Sequence, residues 1–523
     1  MGLEASGFEL VFANEISPMA GETFAFNILK ENLAEKAEKE LEAENTLWVK
    51  SQFKKDNLKS RLKENPFDSK NKTFTDLDKS TDLKGKLLIG NIDDLLVFLK
   101  ENKSILRQLT KSDIDLVSGG PPCQSFSLAG RREKDNAKNL LPLSFAKFAG
   151  LVKPKVVLLE NVKGITSAFT ENNQKYYAWL EVCKAFVLEG YVPVCMMINS
   201  KYFGVPQNRP RFILFAFRED IFKNLFKIKK SNEILKRSKD FFDKVKQNTA
   251  NLDLIKIDDF CYYDVESDPA LFDGELLPKI THSEKTFITA SEAIGDLKRT
   301  DITYRLKGIK SKYKNWLEDM FDTRRLESDK ELENHEAREH NFIIKSRFRF
   351  YQVISQFQNG LKKSAMDLFL GKNLDEELMG KVFGEFSKYN LLFKKYDREV
   401  MMKPKDIEEV EELVLSIPTK KHSQRALRED EPAPAQLTIP DDICHYALDQ
   451  LRTLTVREMA RFQSFPDWFV FRSKVTTGGD MRRFEVPQYT QVGNAVPPIL
   501  AKALGDNIEK LLKEVSKWQS TKE

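Results

Sequence analysis

The sequence has few cysteines and no long apolar run, and each absence excludes a class of protein. Its cysteines, Cys123, Cys183, Cys195, Cys261 and Cys444, form no Cys-x-x-Cys pair. A disulfide framework and a zinc cluster are therefore not expected, whereas a reducing cytoplasm is expected. No apolar stretch approaches the roughly 20 residues of a membrane helix, and the first residues lack the basic start of a secretory signal. We expect a cytoplasmic protein without a membrane span.

The sequence also lacks a strong excess of one sign of charge, because 84 basic and 79 acidic residues leave a formal net charge of only +5. This balance permits a nucleic-acid partner but does not indicate one. The chain of 523 residues is too long for one ordinary core, so we expect at least two domains. In NHEAREHN, His335 and His340 are five residues apart and do not share a helical face, so no metal site is expected.

Short apolar runs separated by helical spacers predict an open parallel α/β sheet. The runs are FELVFAN (8–14), KLLIG (86–90), IDLVSGG (114–120), VVLLENV (156–162), YVPVCMMI (191–198) and RFILFAF (211–217). In such a sheet the functional residues collect where the strands end. Asn14-Glu15, Gly90-Asn91, Cys123 and Glu160 each stand just past a predicted strand, which predicts a site at one edge of the sheet.

Composition predicts how the chain divides into domains. Residues 31–80 are rich in Lys and Glu and have few apolar positions, so we expect a charged insertion that is partly helical and solvated. Residues 219–440 lose the alternation of strands and helices, which indicates a separate inserted domain. We therefore predict a core formed by residues 1–218 and completed by residues 441–523.

The segment SGGPPCQSFS (118–127) holds one thiol in a stiff frame. Pro121 and Pro122 restrict the backbone before Cys123, while Gly119 and Gly120 let another molecule approach the backbone closely. A free thiol is mostly protonated at neutral pH, so a reactive Cys123 requires a polar or positive environment. A small buried cysteine with no chemical role is the alternative.

Other polar residues could act together with this thiol. Glu160 ends an apolar strand, where a carboxylate is costly unless it is paired, so it either faces a substrate or forms a structural salt bridge. In QNRPR (207–211), Arg209 and Arg211 alternate and could face one side of an extended segment, although a surface turn is also compatible. VGNAVPP (492–498) suits a tight turn followed by a helix.

Several of these segments together resemble a known family, the bacterial DNA (cytosine-5)-methyltransferases of restriction-modification systems. The matching segments, in order, are GGPPCQSFS, ENV (160–162), QNRPR, REMARFQSFPDWF (457–469) and QVGNAVPP. The resemblance covers residues 2–30, 86–217 and 450–505. It implies a Rossmann-like α/β sheet of the S-adenosylmethionine-dependent methyltransferases, with an inserted α+β target-recognition domain at residues 219–440.

The resemblance also implies catalytic roles. Cys123 matches the nucleophile that adds to C6 of a cytosine flipped out of duplex DNA and so activates C5. Glu160 matches the residue that contacts N3 and the amino group of the base. Arg209 and Arg211 match arginines that orient the base and the active-site loop, and Arg211 is the better candidate for the base oxygen. SFSLAGRREKDNAKN (125–139) resembles the mobile loop that closes over the base.

The methyl donor implied by the resemblance is S-adenosylmethionine. Its expected contacts are Glu15, Ile16, Asn91, Ile92, Pro121 and Asn494. Glu15 matches the acid that binds the ribose hydroxyls, and Ile16 matches the residue that packs on adenine. Asn91 stands where the family usually has Asp to contact the adenine amino group, and its side-chain oxygen can still accept that hydrogen bond.

The implied partner is double-stranded DNA, and a cognate restriction endonuclease acting on the same site would fit this type of enzyme. We expect a monomer. Two other functions stay open. One is a non-catalytic DNA-binding relative, and the other is a tRNA cytosine methyltransferase of the same fold, whose recognition region is more compact than residues 219–440.

One part of the family pattern is missing from the sequence. The family begins with a strand ending in Asp-Leu-Phe and a Gly-rich turn, whereas MGLEASGF resembles the end of the helix that follows them. No permuted copy follows Leu504. We therefore expect the first strand of the sheet to be absent, which leaves two unpaired strand edges. A start upstream, an inactive gene product, or a second polypeptide that supplies the strand would each account for this.

Overall fold

The computed structural model describes residues 1–68, 71–122, 141–171, 174–321, 330–358, 360–419, 424–435 and 440–521. The strands are β1 (Phe12–Glu15), β2 (Thr46–Trp48), β3 (Lys86–Ile89), β4 (Leu116–Gly119), β5 (Val156–Val162), β6 (Ala168–Glu171), β7 (Gln174–Tyr177), β8 (Tyr191–Asn199), β9 (Gln207–Asn208), β10 (Pro210–Arg218), β11 (Tyr263–Asp264), β12 (Leu391–Lys395), β13 (Arg398–Met402), β14 (Arg425–Ala426), β15 (Ala433–Pro434) and β16 (Ile443–Cys444).

The helices are α1 (Pro18–Phe24), α2 (Leu33–Glu38), α3 (Leu58–Arg61), α4 (Ile92–Glu101), α5 (Lys103–Lys111), α6 (Leu141–Val152), α7 (Ala178–Leu188), α8 (Glu219–Ile228), α9 (Glu233–Gln247), α10 (Ala290–Ile294), α11 (Lys312–Met320), α12 (Phe342–Ser355), α13 (Leu361–Phe369), α14 (Glu376–Phe386), α15 (Ile407–Ser416), α16 (Val456–Phe462), α17 (Gln488–Asn494) and α18 (Pro498–Ser520). Among these helices, none combines the length and the apolar composition that crossing a bilayer requires.

The largest sheet contains five strands in the order β11-β8-β10-β5-β4. β4 runs parallel to β5, and β11 runs parallel to β8, but β10 is antiparallel to both β5 and β8. The prediction of a wholly parallel sheet is therefore wrong for β10. Only residues 200–209 join β8 to β10, and a parallel return needs a crossover connection of about a dozen residues or more.

A second, parallel sheet has the order β1-β3-β2. β2 comes from the segment of residues 31–80, which was expected to be solvated, and all three of its residues are buried. Trp48 lies beneath the guanidinium of Arg61, which forms a buried ion pair with Asp76 at 2.7 Å. This segment differs from the expectation because its apolar residues, such as Leu33, Trp48 and Leu58, pack into one small core, and some of its charges are buried in ion pairs.

β1 and β4 are the edge strands at which the two sheets stop. All residues of both strands line one cavity of about 1100 Å³. In the described part of the chain, β1 pairs with β3 alone and β4 pairs with β5 alone. The two sheets thus face each other across this cavity instead of forming one continuous sheet.

The chain builds two large hydrophobic cores of unequal extent. The main core surrounds the five-stranded sheet and includes Trp179 and Phe215, together with Leu225 of α8 and Leu235 of α9. A separate core forms among α12–α15 and the β12–β13 hairpin. Helices α8 and α9, which follow residue 218, therefore pack with the main sheet. The separate core includes fewer residues than the inserted domain predicted for residues 219–440.

The last segment of the chain returns to the N-terminal residues. The side chain of Asn27 exchanges two hydrogen bonds with the backbone of Val470, donating at 2.7 Å and accepting at 2.9 Å. The hydroxyl of Thr23 donates to the side-chain carbonyl of Gln491 at 2.6 Å. Residues that are more than 400 positions apart thus hold α1 in place beside the cavity.

Candidate active site

An ion pair joins two neighbouring strands of the main sheet. Nε of Arg211 on β10 lies 2.7 Å from Oε1 of Glu160 on β5, and both side chains are mostly buried. The pairing register places Glu160 opposite Ile213 and Arg211 opposite Val162, so the two side chains meet across adjacent antiparallel strands. Burial lowers the pKa of Arg211, and the Glu160 carboxylate opposes this change. The pair therefore places a carboxyl group and a guanidinium side by side near the end of β5.

The segment that precedes Cys123 is held against this pair. A Cβ on Gly120 would lie only 3.2 Å from Oε2 of Glu160, which leaves little room for any side chain there. The side-chain amide of Asn161 donates to the carbonyl oxygen of Pro121 at 2.9 Å. Cys123 itself and the predicted loop of residues 125–139 lie outside the described residues.

Arg209 occupies a different position from Arg211. It lies between β9 and β10, is almost completely buried, and donates hydrogen bonds to the carbonyl oxygens of Gly493 and Ala495 at 2.9 and 3.0 Å. Burial and the nearby Arg211 lower the pKa of Arg209 to about 9. The two arginines are therefore not equivalent: Arg211 pairs with Glu160, whereas Arg209 holds the turn that contains Asn494.

Most of the residues predicted to bind the methyl donor surround the same cavity. Glu15, Ile16, Asn91, Ile92 and Pro121 all line it. Asn494 is exposed at the end of α17 and is not part of this lining. Sequence analysis therefore predicted five residues that the fold brings together and one that it places elsewhere.

Glu15 supplies a carboxylate to the cavity wall. The backbone N–H of Ser17 donates to its Oε1 at 2.8 Å, which fixes the orientation of the carboxylate after β1. Burial raises the pKa of Glu15, and the backbone N–H groups of Ser17 and Ile16 partly offset the change. A carboxylate with a free oxygen beside the apolar Ile16 can accept hydrogen bonds from paired hydroxyl groups.

Asn91 has a structural task in addition to the one predicted for it. It is the N-cap of α4, and its side-chain oxygen accepts a hydrogen bond from the backbone N–H of Asp93 at 3.0 Å. A carbonyl oxygen has two lone pairs, so one acceptor position remains for a ligand amino group.

Two asparagines that position the site were not assigned a role in the sequence analysis. Asn161 anchors Pro121, as described above. The side-chain amide of Asn14 donates to the carbonyl oxygens of Leu88 and Gly90, both at 3.0 Å, and so fixes the turn before Asn91. Asn14 ends the apolar run FELVFAN, and Asn161 lies near the end of VVLLENV. An Asn in such a position is also typical of an ordinary turn.

The donor set of the cavity fits S-adenosylmethionine. Glu15 offers an acceptor for ribose hydroxyls, Ile16 offers an apolar surface for a purine ring, and Asn91 offers an acceptor for an amino group. Among the described residues that line the cavity, the only basic side chain is that of Lys513, so no cluster of positive charge repels the positively charged sulfonium. The two histidines noted in the sequence lie elsewhere, where both ring nitrogens of His335 form hydrogen bonds, with Thr455 and with the carbonyl of Arg299.

Comparison with known proteins identifies the family of the chain. The family model described as C-5 cytosine-specific DNA methylase matches residues 97–510. The chain is 26% identical over 402 residues to the type II methyltransferase M.DdeI of Desulfomicrobium norvegicum, covering 77% of this chain and 74% of that protein. It is 34% identical over 182 residues to the orphan methyltransferase M.SPRI of Bacillus phage SPR, covering 35% and 38% of the two chains.

Similarity to solved structures is weaker. The crystal structure of the S. pombe Dnmt2 methyltransferase aligns over 98% of this chain and 93% of that chain, with a TM-score of 0.38 and 13% identity. The family match is independent of this structural alignment and spans well over half of the residues. It confirms the resemblance found in the sequence: the chain belongs to the C-5 cytosine-specific DNA methylase family.

Proposed function

We propose that this protein methylates C5 of cytosine within a specific sequence of duplex DNA, as the modification enzyme of a restriction-modification system. The observation that carries the proposal is the Glu160–Arg211 ion pair, held beside Pro121 at the same end of the sheet as the cavity. The base and the methyl donor would thus approach Cys123 from two sides. Family membership supports the reaction, and the geometry supports the assignment of these residues to it.

In the proposed mechanism Cys123 is the nucleophile. Its thiolate adds to C6 of the target cytosine, and the electron pair moves towards C5 and N3, so C5 becomes nucleophilic. Pro121 and Pro122 restrict the backbone that leads to Cys123, and Asn161 anchors Pro121. Such restriction favours attack because it lowers the entropy lost in reaching the reactive geometry.

Glu160 and Arg211 would stabilise the charge that develops on the ring. The carboxyl group of Glu160 would donate a proton to N3, where the electron pair arrives, and would accept a hydrogen bond from the amino group, while the guanidinium of Arg211 holds Glu160 in place and faces the base oxygen. Because Arg211 is mostly buried, its positive charge acts in a medium of low polarisability, where it is worth more than in water. After methyl transfer a water molecule would accept the C5 proton, the C5–C6 double bond would form again as Cys123 leaves as the thiolate, and N3 would return its proton to Glu160.

S-adenosylmethionine, when bound, supplies the electrophilic methyl group. Glu15 would accept hydrogen bonds from its ribose hydroxyls, Ile16 would cover the adenine ring, and Asn91 and Ile92 would lie at the adenine edge. Pro121 belongs to both sites, since it lines the cavity and precedes the nucleophile. Pro121 would therefore lie between the bound methyl donor and the base.

The remaining parts of the proposal concern the substrate and the partners. The target cytosine must leave the duplex to reach Cys123, and residues within 219–440 would read the bases around it. We propose that the protein acts as a monomer in the bacterial cytoplasm. We also propose a cognate restriction endonuclease that cleaves the same sequence, as the names of type II relatives suggest.

The test is methyl transfer from S-adenosylmethionine labelled in its methyl group to unmethylated duplex DNA. Label is expected at cytosine C5, and Cys123→Ala is expected to abolish it while leaving DNA binding close to that of the wild type. Cys261→Ala, at a half-exposed cysteine away from the cavity, is the matched control and should keep full activity. Label retained by Cys123→Ala would overturn the mechanism, and label transferred to tRNA but not to DNA would overturn the substrate.

A further inference from the structure

Phe67 belongs to the charged segment of residues 31–80, and its side chain lines the cavity that holds Glu15 and Asn91. The side chain is 47% exposed, and among the described phenylalanines only Phe67 and Phe74 are exposed. An exposed aromatic ring on a cavity wall gains free energy when a ligand with an apolar face covers it. Phe67 is therefore a candidate ligand contact that the sequence analysis did not identify.

A turn fixes the backbone around Phe67. The backbone N–H of Phe67 donates to the side-chain oxygen of Asn65 at 3.0 Å, and Nζ of Lys72 donates to the carbonyl oxygen of Pro66, also at 3.0 Å. An Asn side chain that accepts from the backbone two residues on is a common way to hold a turn. The position of Phe67 is thus set before a ligand arrives, which lowers the entropy lost on binding.

This turn lies beside the start of α4. Burial lowers the pKa of Lys72, whereas nearby carboxylates, including that of Asp94, oppose the change, so Lys72 and Asp94 are close enough to interact. Asp94 belongs to the first turn of α4, and Asn91 is the N-cap of the same helix. Because Lys72 also holds the turn that contains Phe67, Phe67 lies near the residues assigned to the adenine end of the methyl donor.

A second aromatic ring, that of Phe484, contacts Phe67 from the C-terminal part of the chain. The two ring centroids are 6.4 Å apart, and the ring planes are inclined by 51°. The backbone N–H of Phe484 donates to the carbonyl oxygen of Met481 at 3.0 Å, which fixes Phe484 at the end of a short helical turn. Phe484 does not line the cavity, so its contact with Phe67 is that of a side chain that holds another in position.

The part of S-adenosylmethionine that suits a phenyl ring is its adenine. Two flat aromatic rings attract each other by dispersion and by their complementary charge distributions, whereas the aliphatic side chain of Ile16 offers dispersion alone. Asn91 offers an acceptor for the amino group at the adenine edge, and Phe67 and Asn91 line the same cavity. A ring near Asn91 therefore meets the purine and not the methionine end of the donor.

We infer that Phe67 stacks on the adenine ring of the bound methyl donor and that Phe484 holds Phe67 in the position this requires. Phe67 is then a binding residue, and Phe484 is a positioning residue that acts through it. The charged segment of residues 31–80 thus contributes a side chain to the donor site. The inference rests on the proposed function, because it takes the cavity as the site of S-adenosylmethionine.

The test is calorimetric titration of the full chain with S-adenosylmethionine and with adenosine, which has the adenine but lacks the methionine. Phe67→Ala should weaken the binding of both ligands by the same factor, about tenfold or more, a loss typical of a base that stacks on an aromatic side chain. Phe67→Trp should bind both at least as tightly as the wild type, because its ring system is larger. Phe74→Ala is the matched control, since Phe74 is exposed in the same segment but does not line the cavity, and it should change neither affinity.

A double-mutant cycle tests the role of Phe484. Phe484→Ala should weaken adenosine binding about threefold in the wild-type chain and should have no further effect in the Phe67→Ala chain, because Phe484 acts through Phe67. Phe484→Tyr keeps the ring and should restore wild-type affinity. Additive losses, or no rescue by Phe484→Tyr, would overturn the positioning role of Phe484.

The outcomes separate this inference from the proposed function. Wild-type affinity of Phe67→Ala for both ligands would overturn the inference and leave the proposed function in place. Weaker binding of S-adenosylmethionine with unchanged binding of adenosine would overturn the contact with adenine. Weaker binding of duplex DNA with unchanged binding of both ligands would assign Phe67 to the duplex instead. If neither the wild type nor Phe74→Ala binds S-adenosylmethionine, the proposed donor is overturned, and the inference with it.

Discussion

The guanidinium of Arg209 donates a hydrogen bond to the carbonyl oxygen of Gly493, 284 residues further along the chain, at 2.9 Å. A second bond to Ala495 makes this side chain the connection between the start of β10 and the turn after α17. Arg211, two positions away, instead pairs with Glu160. The two arginines of this short motif thus have separate tasks: Arg209 binds the backbone after α17, and Arg211 pairs with Glu160.

Substitution should separate these two tasks. Arg209→Met leaves buried carbonyl oxygens without donors and is expected to lower the free energy of unfolding by about 2–4 kcal/mol, since each unsatisfied buried group costs about 1–3 kcal/mol. Arg211→Met leaves the mostly buried Glu160 without its partner and should also cost stability, but of the two variants it alone should lower kcat. Urea denaturation and single-turnover methylation measure the two effects. An Arg209→Met protein that is as stable as the wild type yet inactive would place Arg209 at the base.

The charge of Glu160 is expected to affect kcat more than the shape of its side chain does. Glu160→Gln keeps the size of the side chain but removes the negative charge that pairs with Arg211. We expect kcat to fall about 10²–10³-fold with little change in DNA affinity, a loss typical of a polar group that acts in the transition state. Glu181→Gln, at a more exposed glutamate on α7, is the control and should keep wild-type kcat. Equal losses in both variants would contradict the assignment.

Affinity for the methyl donor should depend on pH through Glu15. Burial raises the pKa of this carboxyl, so it takes up a proton at a higher pH than an exposed glutamate does. Hydroxyl donors need the ionised form, so the affinity for S-adenosylmethionine should be highest above the raised pKa and should fall as the pH decreases through it. Calorimetric titrations from about pH 5 to about pH 8 measure this dependence.

Glu15→Gln is the matched variant for that experiment. It should bind the methyl donor more weakly and with no dependence on pH in the same range. Ionised Glu15 also costs stability above its raised pKa, because the unfolded chain carries the charge more easily. Glu15→Gln is therefore expected to have a higher Tm than the wild type at neutral pH and a similar Tm under acidic conditions. A lower Tm at neutral pH would show that the carboxylate is stabilising.

A buried ion pair in the C-terminal segment should control acid stability. Arg452 contacts both carboxylate oxygens of Glu458 at 2.8 Å, and this pairing lowers the pKa of Glu458 to about 2 in spite of its burial. The stabilisation is complete above the pKa of an unfolded glutamate, about 4.3, and is lost as the pH falls towards about 2. Denaturation curves at decreasing pH should show this loss.

Removing one partner tests the same pair directly. Glu458→Gln leaves Arg452 buried without its counter-charge and should cost about 3–5 kcal/mol of stability at neutral pH. The variant should also lose most of the acid dependence of the wild type over that range. Glu377→Gln, at an exposed pair with Lys381 on α14, is the control and should change neither quantity measurably. A Glu458→Gln protein of wild-type stability would show that the pair does not stabilise the folded state.

The strands could be predicted from the sequence because they depend on local apolar runs. VVLLENV predicted β5, although Glu160 lies within this strand and not just past it. FELVFAN and KLLIG predicted the strands that place Glu15 and Asn91 on one cavity. A buried strand needs continuous apolar residues whatever the direction of its neighbours. For the same reason these runs contain no information on direction, and the antiparallel β10 was not predicted.

Other features depend on contacts that no local pattern encodes. Arg209 and Arg211 alternate in sequence, but Arg209 lies between β9 and β10, where the regular alternation of a strand is interrupted. Asn494 belongs to a matching motif, yet the turn that Arg209 holds leaves it exposed. Trp48 stands in a highly charged segment and is nevertheless part of a buried strand. In each case a distant partner, and not the neighbouring residues, decides the outcome.

The hydrogen bonds between Asn27 and Val470 have a consequence for synthesis of the protein. These residues are 443 positions apart, so on a ribosome that adds about 5–20 residues per second, Asn27 is made roughly 20–90 seconds before its partner. Throughout that interval the polar side chain of Asn27 and the apolar residues around it lack the surface that will cover them. Nascent chains halted before residue 470 should therefore bind chaperones strongly, and full-length chains should be released from them.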